Sequence, residues 1–202
     1  MSRALTKTAL LRRRAELALY ERVRPSLDLA RRQIALALSE EREALRAVEA
    51  ELADRTRGAA RALPMLANAE VPLHGLVHVA AVDRGLANRA GVALPTLPAV
   101  RFERADYGLL VRPHWVDRVV VELEALVRLR LHLGVRLERR RLLERALARS
   151  VQRVNLFDQV LIPRARADIR RIALAIGDGD RMAIVRAKTA KARHASGAGA
   201  GA

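Results

Sequence analysis

The 202-residue chain contains no cysteine, which excludes disulfide stapling and thiolate metal sites. Aromatic residues are scarce. One tryptophan, two tyrosines and two phenylalanines are too few to anchor a large globular core. No stretch approaches the roughly 18 uncharged apolar residues of a membrane span. Arg12-Arg13-Arg14 follows Leu10-Leu11 directly, where a signal peptide would carry its apolar segment. A cytoplasmic protein is expected, one that meets any membrane from the aqueous side and does not insert into it. Acidic residues are outnumbered, 22 against 38 basic ones, and the net charge of +16 predicts attraction to an acidic partner. All but three of the basic residues are arginine, whose planar fork suits pairing with carboxylates.

The residue patterns that carry chemistry are missing too. Gly177-Asp178-Gly179 lacks the G-K-S/T that would cradle a nucleotide phosphate, so no direct nucleotide binding is expected. There is no nucleophile elbow. The carboxylates fall on helical faces among arginines, as in Glu40-Glu41-Arg42-Glu43 and Glu49-Ala50-Glu51, and read as solvated ion-pair partners rather than general acids. His74 and His78 stand four apart without a third ligand at useful spacing, so neither a metal site nor a cofactor is expected, and no catalytic residue is assigned. The charge would suit nucleic acid, but aromatic stacking platforms, helix-turn-helix and zinc signatures are all absent. A basic coiled coil coating duplex phosphates stays open as an alternative.

What the sequence does contain is alanine, leucine, arginine and glutamate at coiled-coil spacing. Leu17, Tyr20, Leu27, Ile34, Leu38, Leu45, Val48 and Leu52 trace one apolar stripe, preceded by Thr6 or Thr8 as a cap. Pro25 predicts a kink or break in that helix, and Pro64 its end. A second seam runs through Val119, Leu123, Leu126, Leu133 and Leu137, interrupted by Arg130. After a three-residue slip it resumes at Leu143, Leu147, Val151, Val154, Phe157 and Leu161, then continues through Ala165 to Ile169, Ile172 and Ile176. Pro163 lies inside this pattern, so the helix kinks there or two helices abut.

Between the two stripes, five of the seven prolines and four of the glycines break the pattern. The runs 76–82 and 91–94, separated by Asp83, Gly85 and Asn88, suggest a short β-hairpin, while 101–111 reads as irregular chain with a turn at Asp106-Tyr107-Gly108. Gly177-Asp178-Gly179-Asp180 reads as a turn or break. The expected fold is all-α, a long antiparallel two-helix coiled coil with a small irregular or β-hairpin insertion at the turn. Its parts are residues 1–63 for the first long helix, 64–114 for the insertion, 115–193 for the second long helix and 194–202 for a disordered Gly-Ala tail. The outcome is a rod with a knob, its two ends of chain together.

Three islands carry a family resemblance. Arg153-Val154-Asn155, then Gln159-Val160-Leu161-Ile162-Pro163 and Ile169-Arg170-Arg171-Ile172, resemble the C-terminal signature of the D subunit of the V-type and A-type rotary ATPases. Thr6-Lys7-Thr8-Ala9-Leu10-Leu11-Arg12 resembles that family's opening motif, and Asn88-Arg89-Ala90-Gly91-Val92-Ala93-Leu94-Pro95 its N-x-A-G-V-x-x-P segment. The basic element Arg186-Ala187-Lys188 follows the C-terminal signature. Three places depart from the family: Pro25, Ala30-Arg31-Arg32-Gln33 in place of a lysine-rich turn, and Gly177 to Asp180.

The resemblance implies a non-catalytic central-stalk rotor axle, peripheral to a membrane as part of a larger complex. It would couple ATP synthesis or hydrolysis to proton or sodium transport. The implied partners are the hexamer of catalytic and non-catalytic A and B subunits, the F subunit of the central stalk, and the socket (C/d) subunit above the membrane ring. Arg164, Arg166, Arg170, Arg171, Lys188 and Lys191 would face the hexamer. Val77, Val79, Gly91 and Val92, with Arg153, Val154 and Asn155, would serve the stalk partner. A stalk-like component of a flagellar-type export ATPase is the remaining alternative.

Overall fold

The structure, a computed structural model, describes residues 5–62, 75–105 and 115–198. It is built from long helices and one antiparallel β-hairpin, the expected fold class. Helix α1 (Lys7–Ala62) starts at the foreseen cap: Thr6 Oγ1 accepts the Ala9 N–H at 3.2 Å, and the Thr6 carbonyl accepts the Leu10 N–H at 3.0 Å. Such caps stabilise a helix by about 1 kcal/mol.

Of the kink or break expected at Pro25, the break does not occur: α1 runs through it. Its ring removes one backbone hydrogen bond, to the Glu21 carbonyl, a handicap of about 3 kcal/mol. The helix is tied down before it by Tyr20, Glu21 and Arg24 and buried after it at Ile34 and Leu38, which outweighs that loss.

Strands β1 (Val77–Arg89) and β2 (Val92–Arg104) pair antiparallel around a two-residue turn, Ala90-Gly91. Both turn residues have positive φ, 52° and 77°, the handedness that matches the twist of paired strands. Gly91 adopts it freely; Ala90 carries a penalty of about 1 kcal/mol. The hairpin is therefore much longer than its apolar runs suggest. The stretch 83–88 is strand rather than turn, and 101–104 is strand rather than irregular chain. Pro95 and Pro98 fit within β2 because each strand of a two-stranded ribbon has a free edge, where a missing N–H breaks no ladder. The Asp106-Tyr107-Gly108 turn, His74, and the prolines at 64 and 113 lie outside the described residues.

Helix α2 (Trp115–Asn155) passes into a π-helical turn, Leu156–Leu161, and then into α3 (Ile162–Ala198). The Ile162 N–H bonds the Phe157 carbonyl, a reach of five residues rather than four. Pro163 thereby falls in the first turn of α3, directly after the widened turn, where the shifted bonding accommodates the loss of its N–H without ending the helix. The break expected at Gly177 to Asp180 does not occur: α3 continues through it. Each glycine costs about 1 kcal/mol relative to alanine, too little to stop a helix, and Arg181 reaches back to Asp178 at 3.7 Å. The helix also takes in residues 194–198, assigned above to the tail, while 199–202 lie outside the described residues.

The chain divides into two compact units, one of Met1–Leu29 with Ser150–Ala202, the other of Ala30–Arg149. In each, a stretch of α1 runs antiparallel to a later helix. Contacts in the first pair Arg13 with Asp168 and Arg24 with Asp158; in the second, Glu41 with Arg139 and Arg55 with Glu122. In the second unit the hairpin also packs on helices. Ile34, Ala37 and Leu38 form a core with Leu143, Ala146 and the hairpin's Leu94, and at the strand ends Leu76 packs with Val116 and Val120.

Candidate functional site

Two surfaces carry the residues singled out above, one in each unit. In the first unit the seam falls where its spacing puts it: Val154, Ala165 and Ile172 are buried, with Phe157, Leu161, Ile169 and Ile176 half-buried. The Tyr20 ring meets Phe157 edge-on, with centroids 5.7 Å apart, a geometry favourable for two aromatic quadrupoles. Beside it, Arg24 donates from Nε and Nη2 to the two carboxylate oxygens of Asp158, both at 3.0 Å. This fork holds the Asp158 carboxyl below the usual carboxylate range. It also fastens α1 to the π-helical turn.

The basic residues divide by their surroundings. Arg166 is engaged at home, donating to Glu21 at 2.8 Å. Arg164, Arg170, Arg171, Lys188 and Lys191 are exposed and have no carboxylate partner among the described residues. Arg170 and Arg171 lie between the seam positions Ile169 and Ile172, so packing that seam turns both guanidinium groups outward. Within the signature Arg153-Val154-Asn155, only Val154 is buried; its two neighbours face solvent. Around Arg164, Arg170 and Arg171 one face of this helix is occupied by packing and the other carries exposed positive charge; from Asp178 to Lys191 the helix is exposed all round, with Met182, Ile184 and Val185 among its open residues.

In the second unit the hairpin residues play unequal parts. Val77 packs on the cluster of Leu76, Val116 and Val120, and Val92 on the cluster containing Leu94 and Leu143. Both are anchors within the chain. Val79 is 42% exposed and Gly91 lies at the open turn, so these two remain available to a partner. The hairpin is held against the helices by charge as well. Arg104 grips Glu124 with two hydrogen bonds, 2.6 and 3.2 Å, holding that carboxyl below its ordinary range, and Arg89 pairs with Glu40. Arg128 lies over the Phe102 ring, 5.5 Å from its centroid.

Between the middle of the hairpin and α2 is an open groove of about 560 Å³, lined by Val82, Leu86, Leu97, Leu131 and Val135 and flanked by arginine. Leu131 and Val135 lie off the coiled-coil seam, and Leu86 is 79% exposed. The sequence offered one signal of this surface, an apolar Leu86 in a stretch otherwise resembling a turn. Glu41 was expected on a solvated face, and the structure corrects that reading. Set in an acidic string that reads as solvated, it is fully buried and held by Arg136 and Arg139 of α2. Among the described residues, no group of histidine, aspartate and glutamate is placed to hold a metal ion, and no helix is long and apolar enough to cross a membrane.

The family model for the D subunit of ATP synthase matches residues 9–192. The V-type ATP synthase D subunit of Borreliella burgdorferi is 29% identical over 187 residues, covering 93% of this chain and 92% of that protein. The protein of the same name from Chlamydia abortus is 27% identical over 194 residues, 93% of this chain and 91% of that one. That from Chlamydia muridarum is 35% identical over 96 residues, 48% and 47% of the two chains. The match takes in α1, the hairpin, α2 and most of α3 with its basic residues, and the chain belongs to the family of ATP synthase D subunits.

Proposed function

We propose that this subunit is the central rotor axle of a V/A-type rotary ATPase, a non-catalytic chain that carries torque between a membrane ion-translocating ring and a catalytic hexamer. The observation that carries the proposal is the set of basic residues on α3: Arg164, Arg170 and Arg171 stand outward beside the buried Ala165 and Ile172, and Lys188 and Lys191 follow on a stretch of the helix that is exposed all round. Arginine forks without carboxylate partners among the described residues suit transient pairing with carboxylates on a surrounding ring, and pairs made near solvent break as readily as they form. Weak, repeatable contacts are what a turning part needs. A surface differing from side to side biases each surrounding site differently as it turns.

The hairpin unit serves the stationary contacts of the rotor. Val79 and the Ala90-Gly91 turn offer a contact to the stalk partner, the F subunit, while Val77 and Val92 hold the contact residues in place. The socket subunit above the ring would complete the stalk, placing the chain on the cytoplasmic side of the membrane without entering it. The hexamer surface is tested by reversing charge at Arg170 and Arg171 together. In a reconstituted complex, Arg170→Glu with Arg171→Glu should lower coupled ATP turnover severalfold. The circular dichroism of the isolated chain should be unchanged, because neither residue has an ion pair to lose among the described residues. Unaltered turnover would remove this surface from the mechanism.

A further inference from the structure

Glu41 is a charged residue with no exposed side-chain area on a helix whose other acids are all at least partly exposed. Arg136 Nη1 donates to both its oxygens, at 3.0 and 3.1 Å, and Arg139 Nη2 lies 3.0 Å from Oε2. The two arginines are three residues apart on α2, so they approach the carboxylate from consecutive turns of one face. Glu40 reaches Arg89 of the hairpin on one side, and Arg42 reaches Glu144 on the other at 3.0 Å. Three consecutive residues of α1 thus engage the hairpin and two turns of α2.

We propose that Glu41, Arg136 and Arg139 are a register pin, fixing α1 and α2 in one of several alignments that apolar packing alone would tolerate. The seam of α2 changes phase at this place. Its repeat slips by three residues between Leu137 and Leu143, and small side chains, Ala37 and Ala146, stand among the buried residues nearby. A slip of seven residues keeps both stripes facing each other, the degeneracy inherent in a heptad pattern. It would exchange Arg136 and Arg139 for Leu143 and Ala146 in one direction, or for Leu129 and His132 in the other. Glu41 would then be buried against a surface without an arginine, and only the present alignment neutralises it. A single polar layer that discriminates against apolar alternatives is the best-attested use of buried charge.

The test uses the full chain, which has no cysteine of its own. Spin labels are placed on cysteines at exposed Leu36 of α1 and Arg145 of α2, and their separation is measured by pulsed electron paramagnetic resonance. With the triad intact, one distance is expected. With Glu41→Leu, Arg136→Leu and Arg139→Leu together, the buried charge is gone and position 41 can pack equally in the present alignment or against Leu143 and Ala146. A second population should appear, displaced along the helices by up to about 10 Å, seven residues at 1.5 Å each. The inverted triad, Glu41→Arg with Arg136→Glu and Arg139→Glu, should restore a single distance. A folded apolar variant with one unchanged distance would overturn the proposal. So would an apolar variant that loses its helical circular dichroism, which would make the triad a source of stability rather than alignment, or two populations persisting in the inverted variant.

Discussion

Glu41→Ala should lower the stability of the hairpin-bearing unit by about 3 kcal/mol, at the lower end of the 3–5 kcal/mol range for breaking a buried ion pair from one side. The loss comes less from the missing contact than from what remains. Arg139 is 14% exposed in its side chain and its Nε already has no hydrogen-bond partner, so without Glu41 its charge stays buried and uncompensated. Arg136, 33% exposed, can turn toward water, which keeps the effect from the top of the range. Urea unfolding followed by far-ultraviolet circular dichroism measures it. Glu49→Ala, on an exposed position of the same helix, should stay within about 0.5 kcal/mol of the unsubstituted chain. Equal small losses at the two sites would show that Glu41 is not buried as described.

Leu94→Ala should cost about 2–5 kcal/mol and loosen the hairpin from the helices. Leu94 is a fully buried side chain of the hairpin, inserted among Ile34, Ala37, Leu38, Leu143 and Ala146. Truncation removes the transfer energy of its methyl groups and leaves a cavity that helices tied by ion pairs on either side cannot readily close. Because Arg104 still binds Glu124, the open end of the hairpin should stay attached, while the turn end, left with only the half-exposed Arg89–Glu40 pair, is released. Hydrogen exchange distinguishes the two regions: faster exchange is expected around Ala87 to Leu94, with Val100 to Arg104 little changed. Uniform acceleration along both strands would mean that the apolar seat and the ion pairs do not act separately.

Much of this arrangement was legible in the order of residues. The stripe positions Ile34, Leu38 and Leu45 and the seam positions Val119, Leu143, Val154, Ala165 and Ile172 are buried where their spacing puts them, because helical periodicity converts directly into a face. Thr6 as a cap was legible for a similarly local reason. The proline at 163 was legible as a disturbance but not as a π-turn, since its missing N–H says that one bond is lost and not how the neighbouring bonds rearrange.

What was not legible depends on partners distant in sequence. Glu41 stands in a string of charge whose local appearance is that of a solvated face, and only the arginines of α2 make it an interior residue. The hairpin turn was misplaced because glycine at 85 is a stronger local signal than Ala90, which adopts a positive φ only because the paired strands impose it. Gly85 is needed for a different reason. A methyl group there would come within 2.7 Å of Thr96 Oγ1 across the ladder, a cross-strand contact that no local pattern announces. Of the basic row, sequence supplied the charges, and the structure separated Arg166, bound to Glu21, from its outward-facing neighbours.

The proposed axle role is tested most directly by watching the chain turn. A single cysteine at exposed Arg61, unique in a chain without others, can carry a bead while the hexamer of a reconstituted complex is fixed to a surface. During ATP hydrolysis the bead should rotate continuously in one direction, and more slowly when Arg170 and Arg171 are replaced by glutamate. A bead that stays still while the same complexes hydrolyse ATP would place this chain with the stationary parts and contradict the account.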